Sequence, residues 1–287
     1  MSKTKGKTKK EKKKTNITSK IVIFICIIVI IFSLYNIICW LLENHNSNSL
    51  LSDIQSKTTI IQEQIVVDGE NINKRNYDFS ELLKTNSQTV GWVYVPNTNI
   101  DYPVVQTNNN DYYLNHSFNN STNSAGWVFA DYRTNVTDSS NVIIYGHNRK
   151  DKSMFGSLKN VLNQDWRSSE ENLYVNFATP DGAHVYKIFS AFICNDSEVN
   201  SYLETSFSSE SNFNNYVQKI KNRSSYNFNT NLENTEKIIT LYTCHGLNNQ
   251  RLVVYAALVN WLFIFTFYAT CVIIVITSVK EEFKWTH

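Results

Sequence analysis

Cysteine is scarce in this chain, which contains only five in 287 residues. Cys26, Cys39 and Cys271 lie within long apolar runs, so only Cys194 and Cys244 remain in the polar body of the chain. Exported domains that rely on disulfides usually contain more cysteines, in even numbers, and a disulfide framework is therefore not indicated. The two body cysteines could pair, or one could be a reactive thiol and the other a buried bystander; the composition allows both.

The body also lacks an excess of positive charge. The formal net charge of +2 arises from residues 1–20, which contain nine lysines and one acidic residue. Residues 43–260 contain 16 basic and 22 acidic residues. Nucleic-acid binding requires a basic surface that neutralises phosphates, and this acidic body argues against it. We find no His, Cys and Asp spacing typical of a metal site, and we expect no metal and no cofactor.

The first long apolar run, Ile21–Leu42, has 22 residues. As a helix it would measure about 33 Å, enough to cross the hydrocarbon core of a bilayer. The lysines of residues 1–20 predict a cytoplasmic N-terminus and an exported body. A cleaved signal peptide is the alternative, but its apolar region is usually about 7–15 residues long and ends at small residues. We therefore predict an uncleaved membrane anchor.

A second apolar run, Trp261–Thr277, contains no charged residue and is followed by Lys280. It is near the lower length limit for a membrane span. We interpret residues 261–279 as a possible second transmembrane helix; the alternative is a hydrophobic terminal helix packed on the body.

Between these runs, residues 43–76 are polar and predict a stalk or peripheral helix, with an apolar helical patch at Ile60–Val67. From Val90 onward the pattern is one of short strands separated by turn signals, which predicts a mainly β, closed or partly closed barrel of about eight strands. The predicted strands are Gly91–Val95, Ile100–Gln106, Gly126–Phe129, Asn141–Gly146, Leu173–Ala178, Val185–Cys194, Lys237–Thr243 and Arg251–Val259. Apolar residues at helical spacing predict inserted helices near 154–162 and 213–220.

Cys244 ends one predicted strand, and Arg251 begins the next strand of an expected hairpin. A thiol at a strand end opens to a groove, and a nearby cation lowers its pKa. The guanidinium of Arg251 also suits stabilisation of a developing oxyanion. The alternative is that Cys244 is an ordinary buried strand residue, which is the commonest fate of a free cysteine.

A nucleophilic cysteine needs an acid/base partner, and His147 is the best candidate among six histidines. It ends the predicted strand NVIIYGH, where Gly146 permits an unusual backbone conformation. His245 adjoins Cys244 and is expected to face the other way, since strand side chains alternate. The remaining histidines lie in a loop, in a hairpin or outside the body; they are His45, His116, His184 and His287.

Five segments, in the order found in the family, resemble class B sortases. They are GWVYVPNTNIDYPVVQ (91–106), DYYLNHSF (111–118), NVIIYGHNRKDKSMFGSLKNV (141–161), TLYTC (240–244) and RLVVYAAL (251–258). The resemblance implies a sortase β-barrel and three roles: Cys244 as nucleophile, His147 as general acid/base and Arg251 as oxyanion stabiliser. It also implies a substrate groove bordered by the inserted helix at 213–220.

Three features depart from the family pattern. The loop between Cys244 and Arg251 is short, and Tyr242 occupies a position where a small residue is frequent, so that its ring narrows the groove if it points inward. The C-terminal apolar run is more similar to that of pilin-polymerising sortases. The lid motif of that class, Asp-Pro-aromatic, does not occur in residues 43–90.

The resemblance therefore implies a membrane-anchored cysteine transpeptidase with an extracellular catalytic domain at residues 77–260. Its expected substrates are a secreted protein with a threonine-containing C-terminal sorting motif and an amine of peptidoglycan or of its lipid-linked precursor. A pilin-polymerising sortase, a hydrolytic cysteine peptidase and a non-catalytic surface-binding module are the alternatives.

Overall fold

The structure is a computed structural model that describes residues 17–245 and 249–259. The N-terminal tail before residue 17 and the apolar run Trp261–Thr277 lie outside the described residues, so the second transmembrane helix stays a prediction. Contacts divide the chain into two units, at residues 1–45 and 46–287.

One long helix, α1 (Ile17–Lys57), contains the first apolar run. It is long and apolar enough to cross a membrane, and its apolar side chains in residues 17–42 are almost all exposed. A water-soluble helix would bury such a surface against other elements. The length and apolar composition of this segment are compatible with a membrane anchor.

The remaining elements are short and mostly β. The strands are β1 (Ile60–Val67), β2 (Glu70–Tyr77), β3 (Thr89–Tyr94), β4 (Asp101–Val105), β5 (Phe129–Ala130), β6 (Asn141–Tyr145), β7 (Tyr174–Thr179), β8 (Gly182–Asn195), β9 (Ile238–His245) and β10 (Gln250–Leu258). The shorter helices are α2 (Ser80–Thr85), α3 (Gln164–Arg167), α4 (Asp196–Val199) and α5 (Glu210–Arg223).

Eight strands form a closed barrel in the order β10-β8-β7-β3-β4-β5-β6-β9. Most neighbours are antiparallel, but β4 pairs with β5, and β6 with β9, in parallel. Alternate residues fill the barrel interior with apolar side chains, while the opposite face of β8 and β10 packs against α5. The prediction of a closed barrel of about eight strands is confirmed.

The hairpin of β1 and β2 corrects the helix expected at Ile60–Val67. These residues alternate in burial near their end, where Ile65 and Val67 are buried and Val66 is exposed. Together with Ile72 they pack against Tyr174 and Val185 of the barrel. β-branched residues suit such a half-buried strand better than a helix, which explains why the helical interpretation was wrong.

Two further boundaries differ from expectation. The strand expected at Gly126–Phe129 is only the two-residue β5, since Gly126 has a φ of +60° and the Trp127 N–H donates to the Tyr113 carbonyl instead of to a neighbouring strand. The helix expected near 154–162 is a 3₁₀ segment, Leu158–Leu162. Met154 has a φ of +51°, which is incompatible with a right-handed helix starting there. The helix expected at 213–220 lies within α5 and is confirmed.

Candidate active site

The predicted site residues lie on or directly after three neighbouring strands. The parallel strands β6 and β9 pair Tyr145 with Tyr242, and the Gly146 N–H donates to the Tyr242 carbonyl at 3.2 Å. Tyr145 is the last residue of β6, and His147 follows it by two residues. In the antiparallel pair of β9 and β10, Arg251 lies directly opposite Cys244. Cys244 and Arg251 are therefore backbone neighbours at one edge of the barrel, and His147 follows the end of the adjacent strand β6, while the Cys244 side chain lies outside the described part of the structure.

The imidazole of His147 is oriented by a backbone carbonyl. Its Nε2 lies 2.8 Å from the carbonyl oxygen of Leu114, in the segment that precedes β5. A carbonyl oxygen only accepts, so Nε2 is the nitrogen that donates in this contact. The tautomer is thereby fixed, and Nδ1 is the atom at which the ring can exchange a proton with a reactant.

Gly126 provides the space that this arrangement needs. A Cβ added at this position would lie 2.8 Å from Cδ2 of His147 and 2.8 Å from the Leu114 carbonyl oxygen. It would also lie 2.6 Å from the Tyr113 carbonyl oxygen. Glycine at position 126 thus permits the close contact between the imidazole and its acceptor, and the sequence alone did not identify it as a site residue.

If His147 has the predicted acid/base role, we expect Gly126→Ala to lower kcat/KM about 10- to 100-fold, since displacement of a catalytic group by about 1 Å can have an effect of that size. Gly69→Ala is a matched control, because Gly69 also has positive φ (+88°) but a Cβ added there would have no atom within 4 Å. Steady-state cleavage of a sorting peptide would compare the two. Equal activity of both variants would contradict the positioning of His147 by this contact.

Arg251 is largely buried, with 19% of its side chain exposed, and several contacts hold it. Its Nε donates to the hydroxyl of Tyr242 at 2.7 Å. Its Nη2 atom lies 2.9 Å from a carboxylate oxygen of Asp196, and its Nη1 atom donates to the Gln250 carbonyl at 3.1 Å. Neither Tyr242 nor Asp196 was predicted as a partner of this arginine.

Cys194 occupies the other side of Arg251. On β8 it lies opposite Arg251 in register, just as Cys244 does on β9. Cys194 is a free, buried cysteine, and burial raises the pKa of its thiol to about 11. At pH 8 only about one thiol in a thousand would then be ionised, which is unfavourable for a nucleophile. Of the two alternatives for the body cysteines, the structure shows the second: Cys194 is a buried free thiol and is not in a disulfide.

The buried carboxylate of Asp131 holds the side chain of Tyr145 at the end of β6. Asp131 is fully buried and accepts hydrogen bonds from the Tyr145 hydroxyl at 2.7 Å and from the Arg133 guanidinium at 2.6 and 2.9 Å. Burial acts to raise the pKa of Asp131, but the hydrogen bonds from Arg133 and Tyr145 outweigh it and the pKa is lowered. Burial, followed by the hydrogen bond to this carboxylate, raises the pKa of Tyr145 well above its usual value. Asp131 is therefore a fixed anion that holds Tyr145 in place.

We expect the Asp131→Asn protein to lose about 1.5–3 kcal/mol of unfolding free energy at pH 7, the usual effect of losing hydrogen bonds to a charged group. Because the folded pKa is lowered, this stabilisation is complete above the unfolded pKa of about 4 and is lost as the pH falls through the folded value. Chemical denaturation at pH 7 and pH 3 would measure it, with the exposed Asp138→Asn as control. A deficit that does not shrink at pH 3 would contradict this assignment.

An open cavity of about 670 Å³ lies elsewhere, beside α5. It is lined by residues of α5 and of the segment before it, including Phe207, Tyr216 and Lys219. The described site residues do not line this cavity, so its size alone does not connect it with the chemistry.

Comparisons with known proteins agree with the architecture. Residues 93–259 match the family described as the Sortase domain. The chain is 35% identical over 217 residues to "Sortase B" of Listeria monocytogenes, covering 75% of this chain and 85% of that protein. It is 27% identical over 242 residues to "Sortase B" of Staphylococcus aureus, covering 83% and 95%.

A solved structure gives the same result. The crystal structure of sortase B from B. anthracis in complex with AAEK1 is similar with a TM-score of 0.64 and 30% identity, over 77% of this chain and 99% of that one. The family match covers more than half of the chain, and the fold agrees with it. The chain therefore belongs to the sortase family of cysteine transpeptidases, in its class B.

Proposed function

We propose that this sortase joins secreted proteins to a cell-wall amine with Cys244 as nucleophile, His147 as general acid/base and Arg251 as oxyanion stabiliser. The observation that carries the proposal is the strand register, in which Cys244 lies opposite Arg251 while His147 follows the end of β6, the strand that pairs with β9. The described contacts of His147 and Arg251 support it, since both side chains are held by specific partners. Cys194, with a raised pKa, is the poorer nucleophile.

The first step forms a thioacyl enzyme. The Cys244 thiolate attacks the carbonyl carbon of a threonine in the C-terminal sorting motif, and the carbonyl oxygen becomes an oxyanion beside Arg251. When the tetrahedral intermediate collapses, the C–N bond breaks and protonated His147 gives its Nδ1 proton to the departing amine. The carboxyl-terminal fragment leaves, and the threonine remains bound to sulfur as a thioester.

The second step transfers the acyl group. An amine of peptidoglycan or of its lipid-linked precursor attacks the thioester carbonyl, and neutral His147 accepts a proton from that amine. Collapse of the second intermediate breaks the C–S bond and restores the thiolate. The product is a new amide between the secreted protein and the cell wall, and the protonation state of His147 returns to that of the starting enzyme.

The apolar segment of α1 would hold the enzyme at the membrane where both substrates meet. The nine lysines in residues 1–20 favour a cytoplasmic N-terminus, which sets the catalytic domain on the extracellular side. Accessibility of the domain to protease added to intact cells tests this orientation. Protection of the domain until the membrane is permeabilised would contradict it.

Transfer and hydrolysis differ only in the acceptor, and product analysis separates them. Threonine-containing sorting peptides are screened with the full-length enzyme in detergent, first alone and then with a large excess of triglycine. Mass spectrometry is expected to find the peptide–triglycine amide as the main product when the amine is present. Hydrolysis alone, despite ample amine, would contradict the transferase function and favour a cysteine peptidase.

A further inference from the structure

To stabilise an oxyanion, the Arg251 guanidinium must be held in one orientation. An arginine side chain has several rotatable bonds, and an electrostatic contact with a transition state is effective only when it is preorganised. Its guanidinium is directed to Tyr242, Asp196 and Gln250 through three different nitrogens. Since the guanidinium is planar, these contacts determine where its other N–H groups point.

Tyr242 is built into the strand that carries the nucleophile. It lies in β9 two residues before Cys244, and its hydroxyl oxygen accepts the Nε–H of Arg251 at 2.7 Å. Its ring meets the ring of Tyr145 edge-on, with centroids 5.1 Å apart. A family position that frequently holds a small residue therefore holds here a side chain long enough to reach Arg251.

The Tyr242 ring has a rigid support. The Tyr145 ring also stacks on Phe129 at 5.1 Å, and its hydroxyl is fixed by the buried Asp131. Aromatic pairs of this geometry contribute beyond their buried area, and side chains with few rotatable bonds transmit a position well. A continuous set of contacts thus runs from Asp131 through Tyr145 and Tyr242 to the guanidinium.

The second contact that orients Arg251 is with a carboxylate, that of Asp196. Asp196 follows β8, and its N–H donates to the Asn249 carbonyl at 2.8 Å, which ties it to the turn before β10. Its carboxylate is 52% exposed. A solvated carboxylate contributes weakly and opposes part of the positive charge, whereas a phenol hydroxyl orients the guanidinium without neutralising it.

We propose that Tyr242 is a positioning residue for the transpeptidase reaction, which holds Arg251 in the orientation that stabilises the oxyanion, and that Asp196 is a weaker second anchor. The inference rests on the proposed role of Arg251. Its effect belongs to the transition state and is expected in kcat rather than in KM.

A double-mutant cycle tests the proposal with the full-length enzyme in detergent and the threonine-containing peptide that the wild type cleaves fastest. Tyr242→Phe removes only the hydroxyl and keeps the ring against Tyr145. We expect kcat to fall about tenfold, as for loss of a hydrogen bond to a charged group, with KM changed less than about twofold. Asp196→Asn is expected to lower kcat about threefold or less.

The same changes are then made in Arg251→Ala. If Tyr242 acts through Arg251, Tyr242→Phe and Asp196→Asn have no further effect in that background. An unchanged kcat in Tyr242→Phe, or an equal loss with and without Arg251, would overturn the inference while leaving the role of Arg251 intact. Full activity of Arg251→Ala itself would overturn the proposed role of Arg251, and the inference with it. Thermal unfolding of each variant verifies that it is folded, and Tyr242→Leu, which also lacks the hydroxyl, takes its place in the cycle should Tyr242→Phe not fold.

Discussion

The Cys244→Ala enzyme is expected to lose all detectable thioacyl formation and transpeptidation, a fall of about 10⁴-fold or more. The covalent route has no substitute, because alanine offers no atom that can attack a carbonyl, and loss of a nucleophile in hydrolases of this type has effects of that order. The measurement is the rate of peptide–triglycine amide formation at high enzyme concentration.

Cys194→Ala is the matched control for this experiment. Both cysteines lie opposite Arg251 in register, one on each neighbouring strand. The comparison of the two variants therefore tests the reactivity of the two thiols rather than their position along the strands. With the Cys194 pKa raised to about 11 by burial, Cys194→Ala is expected to retain activity within about twofold. Retention of a tenth or more of the activity by Cys244→Ala would contradict the nucleophile assignment.

The His147→Ala enzyme is expected to lose about 10³-fold in kcat/KM on a peptide amide, within the range of a general acid/base group. Without an acid, the amine is a poor leaving group and the tetrahedral intermediate returns to substrate. An activated ester needs no proton on its leaving group, so His147→Ala is expected to lose about tenfold less on the ester than on the amide.

His184→Gln is the control for this variant, because His184 is exposed near the start of β8, directly after the β7–β8 turn, and lies at the opposite end of that strand from Cys194. We expect its activity to stay within about twofold of the wild type, as is usual for a residue outside the site. Activity of His147→Ala within about threefold of the wild type on the amide would contradict the acid/base assignment.

The barrel could be predicted because the alternation of apolar and polar residues along each strand, and the turn residues between strands, are local features of the sequence. Each of the eight barrel strands overlaps a segment predicted from the sequence, and β6 and β9 end close to the residues expected. The hairpin at Ile60–Tyr77 was missed because a short apolar patch fits a helix or a strand, and only its contact with Tyr174 and Val185 decides between them. The two-residue β5 depends in the same way on a distant hydrogen bond, from Trp127 to Tyr113.

For the site as well, residues with a local sequence signal could be predicted, whereas their long-range contacts could not. Cys244, His147 and Arg251 could be chosen from strand ends and from the family resemblance, and the register places Arg251 opposite Cys244. Two of their partners, Leu114 and Asp196, could not be predicted, because they come from distant parts of the chain. The Leu114 carbonyl lies 33 residues before His147. Only Tyr242 gave a signal in advance, as an unusual large residue on the nucleophile strand, and its contact with Arg251 gives that departure a physical meaning.

The most direct test of the proposed mechanism is to identify the atom that carries the acyl group. The full-length wild-type enzyme is incubated with the sorting peptide without amine, quenched at low pH to preserve the thioester, and digested for peptide mass spectrometry. We predict the mass of the acylated peptide on the fragment containing Cys244 and on no other cysteine. An acyl group on Cys194, or rapid turnover without any covalent enzyme adduct, would contradict the mechanism.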